Sequence, residues 1–165
     1  MKRMLFLVFV MICSFSAFSQ RAKKPNPYSF GVGVGYNPSL ESPVSINIKF
    51  YTLKGNAFEF IGYNLHTGYR LTSMFLPYLP ISRDGRLRGL LGFGMHIGWW
   101  KEEFKTNSYH SNPIVGGDAI VGFEYRIPKL PVSLQAHYQP SGDLAGNNQY
   151  FYGKEMLGVA ARIVF

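Results

Sequence analysis

The sequence predicts an all-β fold, an eight-stranded antiparallel up-and-down transmembrane β-barrel. Three observations lead to this prediction. The chain starts with the pattern of an export signal, no later apolar run is long enough for a transmembrane helix, and the rest divides into eight alternating segments. Alternation places two sets of residues on opposite faces of a strand. An even number of strands allows the sheet to close, which removes exposed edges.

The first nineteen residues have the pattern of a cleaved signal peptide. Lys2 and Arg3 form a positively charged start, and the apolar stretch 5–12 that follows is too short to span a bilayer. The small residues Ala17 and Ser19 suit a signal peptidase. We therefore expect cleavage after Ser19, with an uncleaved amphipathic anchor as the alternative.

Cleavage at this position divides the chain into three parts: signal peptide 1–19, periplasmic N-terminal segment 20–27 and barrel 28–165. Cys13 raises the alternative of a lipoprotein, but that cleavage needs a small residue before the cysteine, and Ile12 is not small. The predicted mature chain has no cysteine, so its fold must hold without disulfides.

Composition favours strands and limits the partners. The chain has 11 Tyr, 14 Phe and 18 Gly, and aromatic residues suit a pleated surface. The net charge is +8, or +6 without Lys2 and Arg3. Export argues against nucleic acid as the partner of this charge, so we expect outer-membrane lipid and lipopolysaccharide. The expected location is the outer membrane, and the expected state is a monomer.

Alternation is clearest in the first two segments, 28–36 and 44–51. In the first, aromatic residues and valines alternate with glycines and one serine, so that one face is apolar and the other is nearly bare. In the second, Ile48 and Phe50 face away from Lys49 and Tyr51. Glycine on the second face is typical of a crowded barrel interior.

The remaining six segments are separated by turn residues. The third segment, 58–65, is irregular, and the sequence does not fix the phase of this segment or of the fourth. The fourth segment also ends weakly, because Pro77 and Pro80 lack a backbone donor. The fourth to eighth segments are 69–81, 87–99, 115–127, 132–138 and 152–165.

Three features indicate that the apolar face points at lipid. The opposite face is rich in glycine, and the longest connections, 101–113 and about 140–151, fall on the same end of the barrel. Aromatic residues also cluster near the strand ends, as in membrane-interface girdles. The girdle candidates are Tyr28, Tyr36, Tyr51, Trp99, Trp100, Tyr125, Tyr138, Tyr152 and Phe165. A soluble lipocalin-like carrier is the alternative, with the apolar residues inside.

Seven titratable residues fall on the face that would line the lumen. Buried charges must be paired, and an eight-stranded barrel is only wide enough to hold side chains. We therefore expect a structural ion-pair network that plugs the barrel, with no conducting pore. Its predicted members are Arg88, His96, Asp118, Glu124, Arg126, His137 and Arg162. The four dispersed histidines do not predict a metal site, and the sequence predicts no cofactor.

A catalytic alternative combines His96 or His137 with Asp118 and a serine such as Ser133. This combination resembles the logic of lipid A deacylase and palmitoyltransferase barrels. No motif of those enzymes is present, and the sequence therefore predicts that the protein is not an enzyme.

The end of the chain carries a family resemblance. Residues Leu157–Phe165 resemble the terminal strand of outer-membrane barrels, whose last aromatic residue, here Phe165, resembles the signal read by the barrel assembly machinery. Residues 92–99 and 117–125 resemble small barrels of the OmpA/OmpX-like type, and the strand pattern extends this likeness over 20–165. The resemblance implies a fold, a location and an assembly partner rather than a reaction. We therefore expect a structural or interaction role in which a plugged barrel presents external loops.

Overall fold

The computed structural model describes residues 28–40, 43–53, 55–104, 113–145 and 155–165. They form eight antiparallel strands that close into an up-and-down barrel, which confirms the predicted all-β architecture, strand number and closure. The strands are β1 Phe30–Tyr36, β2 Val44–Tyr51, β3 Asn56–Asn64, β4 Gly68–Pro80, β5 Leu87–Trp100, β6 Ile114–Arg126, β7 Val132–Ala145 and β8 Glu155–Val164. The predicted signal peptide and N-terminal segment lie outside the described residues.

The first and last strands close the sheet. Val32 of β1 pairs with Ile48 of β2 on one side and with Ile163 of β8 on the other. Every other strand pairs with its neighbours in the chain, so the barrel has no unpaired edge between its first and last strands. A one-turn 3₁₀ helix, Glu102–Phe104, follows β5. Within the described ranges, no helix has the length and apolar character needed to cross a bilayer.

The connections divide the barrel into two ends. At the turn end lie the start of β1, the end of β8 and the connections β2–β3, β4–β5 and β6–β7. Gly55, Gly85 and Lys129 adopt the left-handed region in these three connections, with φ of 76°, 72° and 66°. The opposite end, the loop end, carries the other four connections, including the longest, between β5 and β6.

One strand runs well beyond its predicted end, and another contains both prolines that were expected to weaken it. β7 continues to Ala145, so the predicted connection of about 140–151 begins inside a strand. β4 includes both prolines: Pro77 pairs with Asn56 of β3, while the β4–β5 register is interrupted between Phe75 and Tyr78. The gap in the pairing of β4 with β5 therefore falls where Pro77 lacks a backbone N–H donor.

The structure also fixes the phase that the sequence left open. In β3, Ala57, Glu59 and Ile61 point inward and are fully buried, while Phe58 and Phe60 point outward. β4 continues this phase, with Arg70 inward.

Apolar side chains cover the outside of the barrel and polar side chains fill much of its inside. Val32, Phe93 and Val159 are 38%, 65% and 53% exposed, whereas Lys49 and Glu59 are fully buried. This orientation agrees with the sequence analysis, except at three aromatic residues assigned to the girdles. Tyr51 and Trp100 are wrong as girdle residues because they are buried in the lumen, and Tyr28 is wrong because it packs against the buried core and the Arg126 guanidinium. The girdle candidate Tyr152 lies outside the described residues.

Candidate functional site

The lumen holds two separate clusters of ionisable side chains. The sheet brings these side chains together from strands that are distant in sequence, because inward-facing positions of all eight strands share one narrow interior. We call them the central cluster, Lys49, Glu59, Glu124 and Arg162, and the loop-end cluster, Arg70, His96, Asp118 and Asp143.

The central cluster alternates cations and carboxylates. The Lys49 ammonium lies 3.0 Å from a carboxylate oxygen of Glu59 and 3.0 Å from one of Glu124. Arg162 forms an ion pair with Glu59. None of these four side chains is exposed to solvent. Two cations therefore face two carboxylates in a sealed space, which is the arrangement that buried charges require.

Neutral side chains add hydrogen bonds to this cluster. The Tyr78 hydroxyl donates to Glu124 at 2.6 Å. The Gln135 carbonyl oxygen accepts from Lys49 at 2.6 Å and from Arg162 at 3.0 Å. Lys49 thus contacts groups from β3, β6 and β7, which links distant parts of the barrel wall through its centre.

Asp118 is the hub of the loop-end cluster. It pairs with Arg70, and its second oxygen lies 2.7 Å from Nδ1 of His96. It also accepts hydrogen bonds from Gln139, at 3.0 Å, and from the Ser141 hydroxyl. Nε2 of His96 lies 3.1 Å from Asp143, whose side chain is 16% exposed. This cluster therefore extends from the buried interior toward the opening at the loop end.

The seven residues predicted for the lumen network all point inward and are buried, but they do not form one network. Glu124 and Arg162 belong to the central cluster, and His96 and Asp118 to the loop-end cluster. His137 lies near the centre, where Nδ1 is 3.2 Å from the Gln135 amide nitrogen.

The last two predicted residues, Arg88 and Arg126, lie at the turn end. Nε of Arg88 donates to the Gly85 carbonyl at 3.0 Å. Nε of Arg126 lies 3.9 Å from Glu124, which is within ion-pair range but beyond hydrogen-bond distance.

Sequence reasoning missed Lys49, Glu59 and Arg70, which carry most of the ion pairs. Sequence reasoning placed Lys49 correctly on the face of β2 opposite to that of Ile48, but it did not count Lys49 among the lumen charges. Glu59 and Arg70 were missed because the phases of β3 and β4 were left open. The signal was available in Phe58 and Phe60, since two large apolar residues on the outward face place Glu59 between them on the inward face.

Small residues opposite the clusters make room for the large side chains. A Cβ on Gly33 would collide with the carbonyl oxygen of Ala161 and with Arg162. Similarly, a Cβ on Gly116 would collide with the His96 ring. The glycine-rich inner face that the sequence shows is therefore the complement of these long inward side chains.

The structure does not assemble the serine, histidine and acid considered as a catalytic alternative. His96 and Asp118 are paired, but Ser133 lies near the turn end, where it pairs with Arg126 across the β6–β7 ladder. The nearer serine, Ser141, donates to Asp118 and not to a histidine nitrogen. A nucleophilic serine requires a hydrogen bond to its base. Within the described part of the chain, no group of three or more His, Cys, Asp or Glu side chains has the arrangement of a metal site.

The outer surface has a continuous row of aromatic residues. Paired positions on β1 to β5 place five phenylalanines side by side on the outward face: Phe30, Phe50, Phe58, Phe75 and Phe93. Ring centroids are 5.2 Å apart for Phe30 and Phe50, and 5.7 Å apart for Phe75 and Phe93. Because the strands of a barrel are tilted, such a row winds around the outside and covers it with apolar surface.

No protein-family model matches the chain, and the search of curated proteins finds no match.

Proposed function

We propose that the protein is an outer-membrane β-barrel with a structural or interaction role, in which a plugged barrel presents its loops outside the cell. The observation that carries this proposal is the inverted distribution of side chains. Exposed apolar residues surround the barrel, and buried ion pairs fill its centre. An outer surface of exposed apolar side chains is stable in contact with hydrocarbon but not in contact with water.

The size of the apolar surface supports a membrane location. Soluble monomers rarely expose contiguous apolar patches larger than a few hundred Å². Here every strand contributes outward apolar residues, including Ile46 at 64% and Met95 at 65% exposure. A lipocalin-like carrier would instead keep an apolar lumen for its ligand, and the charged central cluster weighs against that alternative.

The ends of the barrel suggest its orientation. Three of the four loop-end connections, 37–43, 101–113 and 146–154, are longer than any connection at the turn end, and the short connection 65–67 is the exception. Longer connections at one end are typical of barrels whose short turns face the periplasm. In this orientation lipopolysaccharide surrounds the loop end. Phe165, proposed as the signal for the barrel assembly machinery, is 64% exposed and lies near Phe30, with the two tilted rings 6.2 Å apart between centroids.

Fractionation combined with gel mobility tests the location. We expect the protein in the outer-membrane fraction, and we expect unboiled protein to migrate differently from boiled protein, since a closed barrel resists detergent without heating. A periplasmic protein whose mobility is unaffected by boiling would contradict the proposal.

Cysteine labelling tests the orientation, because the only cysteine of the chain, Cys13, lies in the predicted signal peptide. Ser39→Cys places a thiol at the exposed loop end, and Arg83→Cys places one at the exposed turn end. A membrane-impermeant maleimide applied to intact cells should label the first variant alone. Permeabilised cells should show labelling of both. Labelling of Arg83→Cys alone in intact cells would show that the turn end, and not the loop end, faces the cell exterior.

A lipid A-modifying enzyme is the second candidate, favoured by the His96–Asp118 pair near the loop end. Mass spectra of lipid A from cells with and without the gene test it directly. Identical spectra would exclude this candidate and leave the first proposal intact.

A further inference from the structure

Arg126 is a buried cation with unused hydrogen-bond donors. The residue is 7% exposed, and its Nε and Nη2 atoms have no hydrogen-bond partner. The nearest carboxylate, that of Glu124, is 3.9 Å from Nε and already contacts Lys49 and Tyr78 at shorter distances. A buried guanidinium whose donors are not satisfied is costly, so this position calls for an explanation.

Aromatic rings hold this guanidinium in place. Its central carbon lies 5.4 Å from the Tyr28 ring centroid and 5.5 Å from that of Tyr51. Contacts with ring faces stabilise the positive charge. They do not use the N–H groups, which lie in the guanidinium plane and remain available to an acceptor.

Arg88 is a second arginine on the inward face near Arg126. It pairs with Glu124 across the β5–β6 ladder, and the Arg126 amide donates to the Arg86 carbonyl at 3.0 Å. Arg88 and Arg126 are therefore diagonal neighbours on the inward face, with Cα atoms about 7–8 Å apart. The Arg88 guanidinium also lies over a tyrosine ring, 5.7 Å from the Tyr78 centroid.

The carboxylate beside this pair is that of the buried Glu124, which is held by Lys49 and Tyr78. In the described connections of the turn end, Asp84 is the single carboxylate, and it lies 3.3 Å from Nε of Arg86. The exposed Lys129 adds a further cation to this end. The resulting field attracts anions to the turn end.

We propose that Arg88 and Arg126 form an oxyanion site that binds a phosphate group, either as inorganic phosphate or as the headgroup of an anionic phospholipid. A planar guanidinium binds two phosphate oxygens through paired N–H donors, and two adjacent guanidiniums enclose one phosphate. Only the lipid source depends on the proposed membrane location. The phosphate chemistry depends on the barrel interior alone.

Calorimetric titration of inorganic phosphate into the purified full-length gene product tests the site. We expect the wild type to bind phosphate and Arg126→Gln to bind it at least about tenfold more weakly, since hydrogen bonds to charged groups are lost. Arg126→Lys keeps the charge but not the paired donors, and should also weaken binding. The matched control is Arg83→Gln, which removes an exposed arginine of the β4–β5 turn and should change the affinity by less than about twofold.

The lipid source is tested in nanodiscs that contain phosphatidylcholine with a minority of phosphatidylglycerol. Native mass spectrometry should show phosphatidylglycerol retained by the wild type and by Arg83→Gln but not by Arg126→Gln. Phosphate binding without lipid retention would identify the free ion as the ligand of the same site. Heat-modifiable mobility of each variant verifies its folding. If neither ligand binds, or if folded Arg83→Gln and Arg126→Gln lose binding equally, the site is refuted.

Discussion

The two lumen clusters differ in how they keep charges inside the barrel. In the central cluster, all four side chains have no solvent exposure, and each carboxylate lies against a cation. In the loop-end cluster, Asp118 is surrounded by neutral donors as well as by Arg70, and Asp143 reaches solvent. Both clusters combine ionic and neutral partners, and the side chains of Arg70, His96 and Asp118 are as buried as those of the central cluster. The clusters differ at Asp143, the member of the loop-end cluster whose side chain reaches solvent.

This difference predicts different costs of mutation. Removing one partner of a sealed ion pair leaves an uncompensated charge, which is strongly destabilising. At Asp143, which is partly exposed, water solvates the remaining charge and reduces the cost. The sealed ion pairs should therefore dominate the stability of the barrel, and the position of Asp143 should tolerate change.

The largest effect is expected from Lys49→Met. Lys49 lies 3.0 Å from both Glu59 and Glu124, so its loss leaves the excess negative charge of two buried carboxylates with Arg162 as the remaining cation of the cluster. We expect the free energy of unfolding to fall by about 3–5 kcal/mol, measured by urea unfolding of the folded barrel with tryptophan fluorescence.

The exposed Lys129→Met serves as the control for Lys49→Met and should change the same free energy by less than about 0.5 kcal/mol. The double variant Lys49→Met with Glu124→Gln should recover part of the loss, because it removes one of the two carboxylates. Equal effects of Lys49→Met and Lys129→Met would show that the centre is not sealed.

Gly33→Ala tests how tightly the wall packs around the central cluster. The new methyl group would collide with the Ala161 carbonyl oxygen and with Arg162, so we expect a loss of about 1–3 kcal/mol in the free energy of unfolding. Gly62→Ala is the matched control, because a Cβ at this position has no heavy atom within 4 Å. If thermal or urea unfolding shows the same change for both variants, space is not the reason for glycine at position 33.

The sequence was sufficient for the strand count, the closure and the outward direction of the apolar face. These features follow from alternation, which records the face of each residue directly. It also placed Glu124 and Arg162 in the lumen, because β6 and β8 alternate without interruption.

The partners of those residues were not predictable in the same way. The contact between Lys49 and Glu124 spans 75 positions and depends on the angular position of β2 and β6 around the barrel. Alternation shows which face of the strand a residue occupies. It does not show the position of the residue along the barrel axis, or which side chain lies across the lumen from it. The division into two clusters and a turn-end arginine pair therefore required the strand register.

Asp143→Asn tests the partly exposed position of the loop-end cluster. Asp143 contacts His96 at 3.1 Å and is partly exposed, so we expect a loss of about 1 kcal/mol or less in the free energy of unfolding. Asp118→Asn should cost more, about 2 kcal/mol, because it also removes the charge that Arg70 faces. A larger loss for Asp143→Asn than for Asp118→Asn in urea unfolding would contradict the lower cost expected at a partly exposed position.

The smallest effect is expected at Asp84, an exposed carboxylate outside both clusters. Hydrogen bonds from the Ser82 hydroxyl and the Arg86 amide hold the pKa of Asp84 below its ordinary value. A carboxyl with a lowered pKa in the folded state stabilises the fold above its ordinary pKa, and this contribution is lost as the pH falls through the lowered value.

Asp84→Asn should therefore lower the urea midpoint slightly at neutral pH, and the difference from the wild type should vanish in acid. Ser82→Ala removes the main donor and should reduce the same pH-dependent difference. A pH-independent difference would instead assign the effect to the shape of the turn, where Gly85 has a φ of 72°. The contrast with Lys49→Met follows from burial: water replaces the partner of an exposed charge at the turn end, but it does not reach the sealed centre of the lumen.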